Sequence, residues 1–143
     1  MDVLALGPAL QWPRTWAKQK VLLEAQHDRL ESTLATLIEL YEESFGETSK
    51  ELTVAFDGSC RRLLWDFKLH MRLEERWIKR QGFLCIGHRE DHVKAMNEAI
   101  SGYQRSLGSQ CRRLQWLQNL KAWFEDHRAG PDLYAYSLAS AQP

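Results

Sequence analysis

Four histidines in this chain stand at spacings that could assemble a metal site. His88 and His92 are four residues apart, His70 lies four before Glu74, and His127 lies five before Asp132; the fifth histidine, His27, stands alone. On a helix, residues four apart share one face about one turn apart, so each such pair aims two donors at one place. Imidazole and carboxylate together suit first-row transition metals such as iron, and a carboxylate has two oxygens with which to bridge two ions. Each motif alone has a plainer reading. "HREDH" would pass for a solvated helix start, "HMRLEERWIKR" for a salt-bridged face, and His27 for a core histidine.

The elements that would position these residues are helices. The internal breaks are "ESFGETS", "GFLCIG" and "SLGS", and "AGP" closes the last long segment. Between them lie four helical stretches, about 16–43, 49–81, 88–107 and 109–129. Thr48 with Glu51 resembles a capping box, and Gly82 suits the position after the second helix. No segment alternates as a strand would.

Each stretch carries a seam at three- and four-residue steps. The seams run Leu23, His27, Leu30, Leu34, Leu37, Tyr41; then Leu52, Phe56, Cys60, Leu63, Phe67, His70, Glu74, Trp77. The third runs His88, His92, Ala95, Ala99, Tyr103, and the fourth Leu114, Leu117, Leu120, Phe124, His127. Every histidine occupies a seam position. With short loops the helices alternate in direction, giving an all-α, antiparallel, up-down-up-down four-helix bundle. His27 then lies near the start of the first helix, His70 near the end of the second, His88 and His92 at the start of the third and His127 at the end of the fourth. Those are the same end of the bundle. Five buried imidazoles without a metal would each need a hydrogen-bond partner, and burial would oppose charging several together.

Asp132 needs a special backbone. Five residues on a regular helix separate two side chains by about 140°. Pro131 lacks an N–H and clashes with the carbonyl of residue 127, so the ladder must stop or widen there, and Gly130 adds freedom. A π-like turn would bring Asp132 under His127. Glu75, about 100° around the helix from Glu74, is expected to face away from the site.

Composition narrows the class. A hydrophobic share of 44% and a charged share of 27% fit an ordinary globular chain, read as a single domain over residues 1–143. Nineteen basic residues balance nineteen acidic ones, which gives no reason to expect a nucleic-acid or anionic-membrane partner. No apolar run approaches the roughly 20 residues of a membrane span, and the start lacks the positive charge of a signal peptide, so a cytoplasmic location is expected. Cys60, Cys85 and Cys111 are an odd number without a CxxC pair and are expected to be buried, reduced thiols. The six tryptophans read as bundle packing.

Taken together, "EAQHDRL", "HMRLEE", "HREDH" and "HRAGPD" resemble the hemerythrin family, specifically its single-domain bacterial members. The family pattern is a lone histidine, then H-x-x-x-E, H-x-x-x-H and H-x-x-x-x-D on successive helices, and the resemblance covers about residues 12–138. It implies two non-haem iron ions with an oxo or hydroxo bridge. His88, His92 and His127 would hold one iron and His27 and His70 the other, with Glu74 and Asp132 bridging. It also implies dioxygen as the ligand, at an open position on the two-histidine iron. Leu30, Trp123 and Phe124 match pocket-lining positions, and Arg128 stands where the family commonly has an isoleucine.

At that position a guanidinium would either reach the pocket or turn outward to solvent; the cost of burying it favours the outward placement. The implied function is reversible dioxygen binding for storage, delivery or sensing, with any electron donor or signalling partner unspecified. The alternative is an enzyme that uses the same centre to reduce peroxide or nitric oxide or to oxidise a small substrate. A metal-free helical interaction module is the third reading.

Overall fold

The computed structural model describes the backbone of residues 7–46, 50–82 and 84–140, and the side chains of 20–46, 51–82, 84–132 and 134–137. Four long helices carry the architecture: α1 (Gly7–Glu43), α2 (Lys50–Arg80), α3 (Ile86–Arg105) and α4 (Gln110–His127). The described residues contain no strand. A widened π-turn, Arg128–Asp132, follows α4 directly and leads into a short helix, α5 (Leu133–Ser140). The chain therefore stays helical past the point at which "AGP" was expected to end it. Pro131 widens the ladder without breaking it, because the following residues are good enough helix formers to resume. At the other end α1 begins at Gly7, not near 16, and runs through Pro13. The Thr48 cap lies outside the described residues.

Each helix packs on two neighbours, α1 and α3 both lying against α2 and α4. The contacts along each seam run in opposite senses. Tyr41 meets Phe56 and Cys60, while His27 meets His70. Tyr103 bonds Asp57 while His88 meets Glu74, and Trp116 bonds Ala99 while His127 meets His92. Adjacent helices are thus antiparallel, and the five histidines share one end. Gly82 has φ +80 and donates its N–H to Lys79 O, ending α2 in the left-handed conformation that glycine tolerates. Gly102 serves closeness instead: a Cβ there would lie 2.5 Å from the Trp116 ring, so only glycine lets α4 approach α3 at this height.

The apolar core fills the remainder of the bundle, from Leu30 to Tyr41 on α1 and from Cys60 to Met71 on α2, with Ala95, Ala99, Leu117 and Phe124. A smaller cluster of Leu23, Trp77, Ile78, Ala135 and Tyr136 closes the end beyond the histidines. Three expectations need correction. Leu52 of the second seam is 37% exposed, because it lies in the first turn of α2. Trp65 is exposed and packs in no core. Of the three free cysteines only Cys60 is buried; Cys85 and Cys111 lie at the starts of α3 and α4 and are exposed.

Candidate metal centre

The side chains of His27, His70, Glu74, His88, His92, His127 and Asp132 are all buried to within 4% of full enclosure. They come from all four long helices and the π-turn, and they form two groups that share Glu74. One holds Glu74, His88, His92, His127 and Asp132; the other holds His27, His70 and Glu74. On the first side the three imidazole rings form a near-equilateral triangle, with centroids 4.7, 4.8 and 4.9 Å apart. On the second the His27 and His70 rings meet edge to face at 4.3 Å.

The two carboxylates lie between these sides and divide their oxygens. Glu74 Oε1 lies 3.3 Å from His88 Nε2 and 3.2 Å from His92 Nε2, while Oε2 lies 3.3 Å from His27 Nε2 and 3.4 Å from His70 Nε2. Asp132 Oδ1 lies 2.9 Å from both His88 Nε2 and His127 Nε2, and Oδ2 lies 3.1 Å from His27 Nε2. The π-turn is what brings Asp132 here. An i→i+5 ladder restores residues five apart to one face. Gly130 plays no left-handed part in it, since positive φ among the described residues occurs only at Gly46, Gly82 and Gly108.

Hydrogen bonding at Nδ1 favours tautomers that suit a cation. His70 Nδ1 donates to Gln26 Oε1 at 2.8 Å, His92 Nδ1 to Glu75 Oε2 at 2.8 Å, and His127 Nδ1 to Asp91 Oδ2 at 3.0 Å. With Nδ1 as the donor, each neutral ring presents a lone pair at Nε2. The Nε2 atoms of His92 and His127 then face each other at 2.9 Å, acceptor to acceptor. His70 Nε2 and Asp132 Oδ1 are buried without a hydrogen-bond partner, although Oδ1 has two imidazole nitrogens beside it. Metal–ligand bonds of about 2.1 Å place adjacent ligand atoms about 3 Å apart, which is the spacing of these donors. The donor set fits a pair of divalent or trivalent first-row ions.

Glu75 therefore does not face away as expected. In a four-helix bundle a position 100° off the inward seam points into the neighbouring helix, and Glu75 meets α3 there, at His92. Tyr136 on α5 donates its O–H to Glu74 Oε2 at 2.7 Å, and packs on Trp77 and beside His27. Burial, with Glu74 alongside, pushes its pKa upward, so it remains a neutral donor. Phe124 lies 5.4 Å from His27 and 6.2 Å from His70, covering the two-histidine side, and Leu30 belongs to the same buried cluster. Trp123 stacks on His127 at 4.5 Å, and so touches the three-histidine side. Arg128 turns outward: its guanidinium pairs with Asp28 and Glu31 of α1, each at 2.9 Å, and ties the π-turn to that helix.

The charge balance follows from burial set against the carboxylates. Burial opposes protonation of His27, but the Asp132 and Glu74 carboxylates outweigh it and raise the pKa to about 9. His88 is raised in the same way, against burial, to about 10. At His70 burial prevails and lowers the pKa. Glu74 and Asp132 are held low, against their burial, by the surrounding imidazoles. Without metal at pH 7 the two carboxylates are thus met by protons on His27 and His88, and His92 is raised too, by Glu74 and Glu75 against its burial. Metal has to displace those protons, because an imidazolium offers no lone pair. Loading the metal-free protein at pH 7 is expected to release about two protons per chain or more, measured in weak buffer. The release should fall as pH rises through 9 and 10, and metal affinity should climb over the same range. Release that does not vary with pH would contradict this assignment.

No protein family, curated protein or solved structure matches the chain. Its functional reading therefore rests on the residues themselves.

Proposed function

We propose that the chain is a hemerythrin-like protein that holds two iron ions and binds dioxygen reversibly, for storage, delivery or sensing. The observation that carries this reading is the lopsided donor set. Three imidazoles stand on one side and two on the other, with each carboxylate offering one oxygen to each side. His88, His92 and His127 with Glu74 Oε1 and Asp132 Oδ1 would give one iron five ligands; His27 and His70 with the remaining oxygens would give the other four. The side with fewer ligands has room for an exogenous molecule. A ferrous pair held there would supply the two electrons that dioxygen takes up on binding.

The chain's own contribution is orientation and exclusion. Gln26, Glu75 and Asp91 hold three imidazoles in the metal-binding tautomer, and Tyr136 holds the outer oxygen of Glu74. Phe124 covers the two-histidine side with an apolar ring, which suits a small neutral ligand and disfavours water and anions. Arg128, bound to Asp28 and Glu31, keeps its guanidinium away from that side.

The test is an iron assay with absorption spectra under argon, under air and under argon again. About two irons per chain and a spectral change that reverses on removing dioxygen are expected. Rapid turnover of peroxide or nitric oxide with a reductant, without a reversible dioxygen spectrum, would replace this reading with the enzyme. A colourless, metal-free protein from iron-rich medium would replace it with a helical interaction module.

A further inference from the structure

Between α3 and α4 lies an open groove of about 600 Å³ that the packing of the bundle leaves unfilled. Its origin is a mismatch of side-chain size. Ala95, Ala99 and Gly102 are the small residues of its α3 wall, and Trp116 and Trp123 are the large ones of its α4 wall. Trp116 lies against Gly102 and donates its Nε1–H to Ala99 O at 2.9 Å, which fixes that indole across the floor. Trp123 lines the groove nearer the histidines, with its ring stacked on His127. With both indoles held in these contacts, the space beside them stays open.

The polar residues of the groove are sorted by charge. Arg105 and Arg112 line the end beside the α3–α4 turn, while Glu98 and Asn119 line the part nearer the histidines. All four are exposed, and among the described residues Glu98, Arg105 and Arg112 form no ion pair. Two unpaired guanidiniums at one end suit an anion, and their forked donors match a phosphate. Indoles favour a flat ring, and a carboxylate and an amide oxygen accept N–H groups on its edge. Glu98 and Arg105 are seven residues apart on one helix, about 10 Å, which is the reach of a mononucleotide from base edge to phosphate. We propose that this groove binds a flat heteroaromatic molecule carrying a phosphate, of the size of a mononucleotide. The phosphate lies at Arg105 and Arg112, and the ring lies against Trp116 and Trp123 with its N–H edge toward Glu98. The volume is that of a small-molecule site. A nucleic-acid strand fits poorly, because Glu98 interrupts any basic track for successive phosphates. The site requires no metal, so its test is separate from that of the di-iron reading.

Flavin mononucleotide and adenosine monophosphate are the probes, with riboflavin and adenosine as their phosphate-free counterparts and inorganic phosphate alone. The full-length protein as purified is to be titrated by calorimetry, with flavin emission read in parallel. At least one nucleotide is expected to bind at one site per chain with a dissociation constant of about 10 µM. Stacking on the indoles should quench the flavin. The phosphate-free counterpart should bind about tenfold more weakly, and inorganic phosphate more weakly still. Arg105→Gln combined with Arg112→Gln should bring the nucleotide down to its counterpart's affinity. Both arginines are exposed, so the counterpart's affinity, the helicity and the melting temperature should not move. Neither nucleotide binding by about 1 mM, or a nucleotide held no tighter than its counterpart, would overturn the proposal. So would an affinity indifferent to the double substitution, or inorganic phosphate held as tightly as the nucleotide.

Discussion

Glu74→Gln is expected to empty both sides of the centre. The carboxylate has an oxygen within 3.4 Å of four imidazole nitrogens, two on each side, and also accepts the Tyr136 hydroxyl. Glutamine fills the same volume but is neutral, and its amide nitrogen must face one pair of lone pairs with hydrogens. The metal content should fall from two ions per chain to well below one. Two imidazolium charges would also lose half of their buried counter-charge. Breaking a buried ion pair costs about 3–5 kcal/mol. For a chain of this size that corresponds to a fall in melting temperature of roughly 10 °C or more.

Glu75→Gln is the control. It keeps an acceptor for His92 Nδ1 while removing the charge that makes the imidazole more basic. Its expected effect is about a tenfold loss of metal affinity with the ions still bound at high concentration. Two ions per chain and an unchanged melting temperature in Glu74→Gln would show that Glu74 does not join the two sides.

Much of this centre is legible before any coordinates, because burial and helical period constrain the same positions. In α1 the whole seam from Leu23 to Tyr41 is buried, His27 included. What the sequence concealed is mostly the set of partners one step off the seam. Gln26 precedes His27, Glu75 follows Glu74, and Asp91 precedes His92, so each orienting residue is adjacent in sequence to one of the clustered ligand candidates. Period alone assigns such a position to solvent. In a bundle it points along the interface to the next helix, where an imidazole Nδ1 awaits an acceptor.

Tyr136 was hidden for another reason. Its position depends on the chain continuing past Pro131, and a proline read locally looks like an end. Arg128 shows the converse. The cost of burying a guanidinium already argued for an outward placement, but its fixed partners, Asp28 and Glu31, lie on a helix about a hundred residues earlier in the chain.

The second large effect is expected at Asp132, where an irregular backbone and a candidate metal ligand depend on each other. A π-turn gives up one regular ladder bond, and Pro131 would have disrupted that ladder in any case. The return is a buried carboxylate whose two oxygens serve both sides of the centre, next to His88 and His127 on one and His27 on the other. Asp132→Asn keeps the size but removes one of the two carboxylates that face the protonated His27 and His88, so the metal-free variant should fold yet melt below the metal-free parent, as in Glu74→Gln. The bridge should not survive, since an amide has only one oxygen with which to meet an ion. Metal content should fall to about one ion per chain or less.

Ligand that binds only the folded chain stabilises it by about 2.7 kcal/mol at a hundred times its dissociation constant. The gap in melting temperature between loaded and chelated protein should therefore shrink by several degrees or close in Asp132→Asn, on top of a lower melting temperature of the chelated variant than of the chelated parent. The measurement is calorimetry of both forms of both proteins, with metal counted in each. An Asp132→Asn protein that still carries two ions, with the parent's full gap, would mean that the π-turn serves packing and that the ions are held without it.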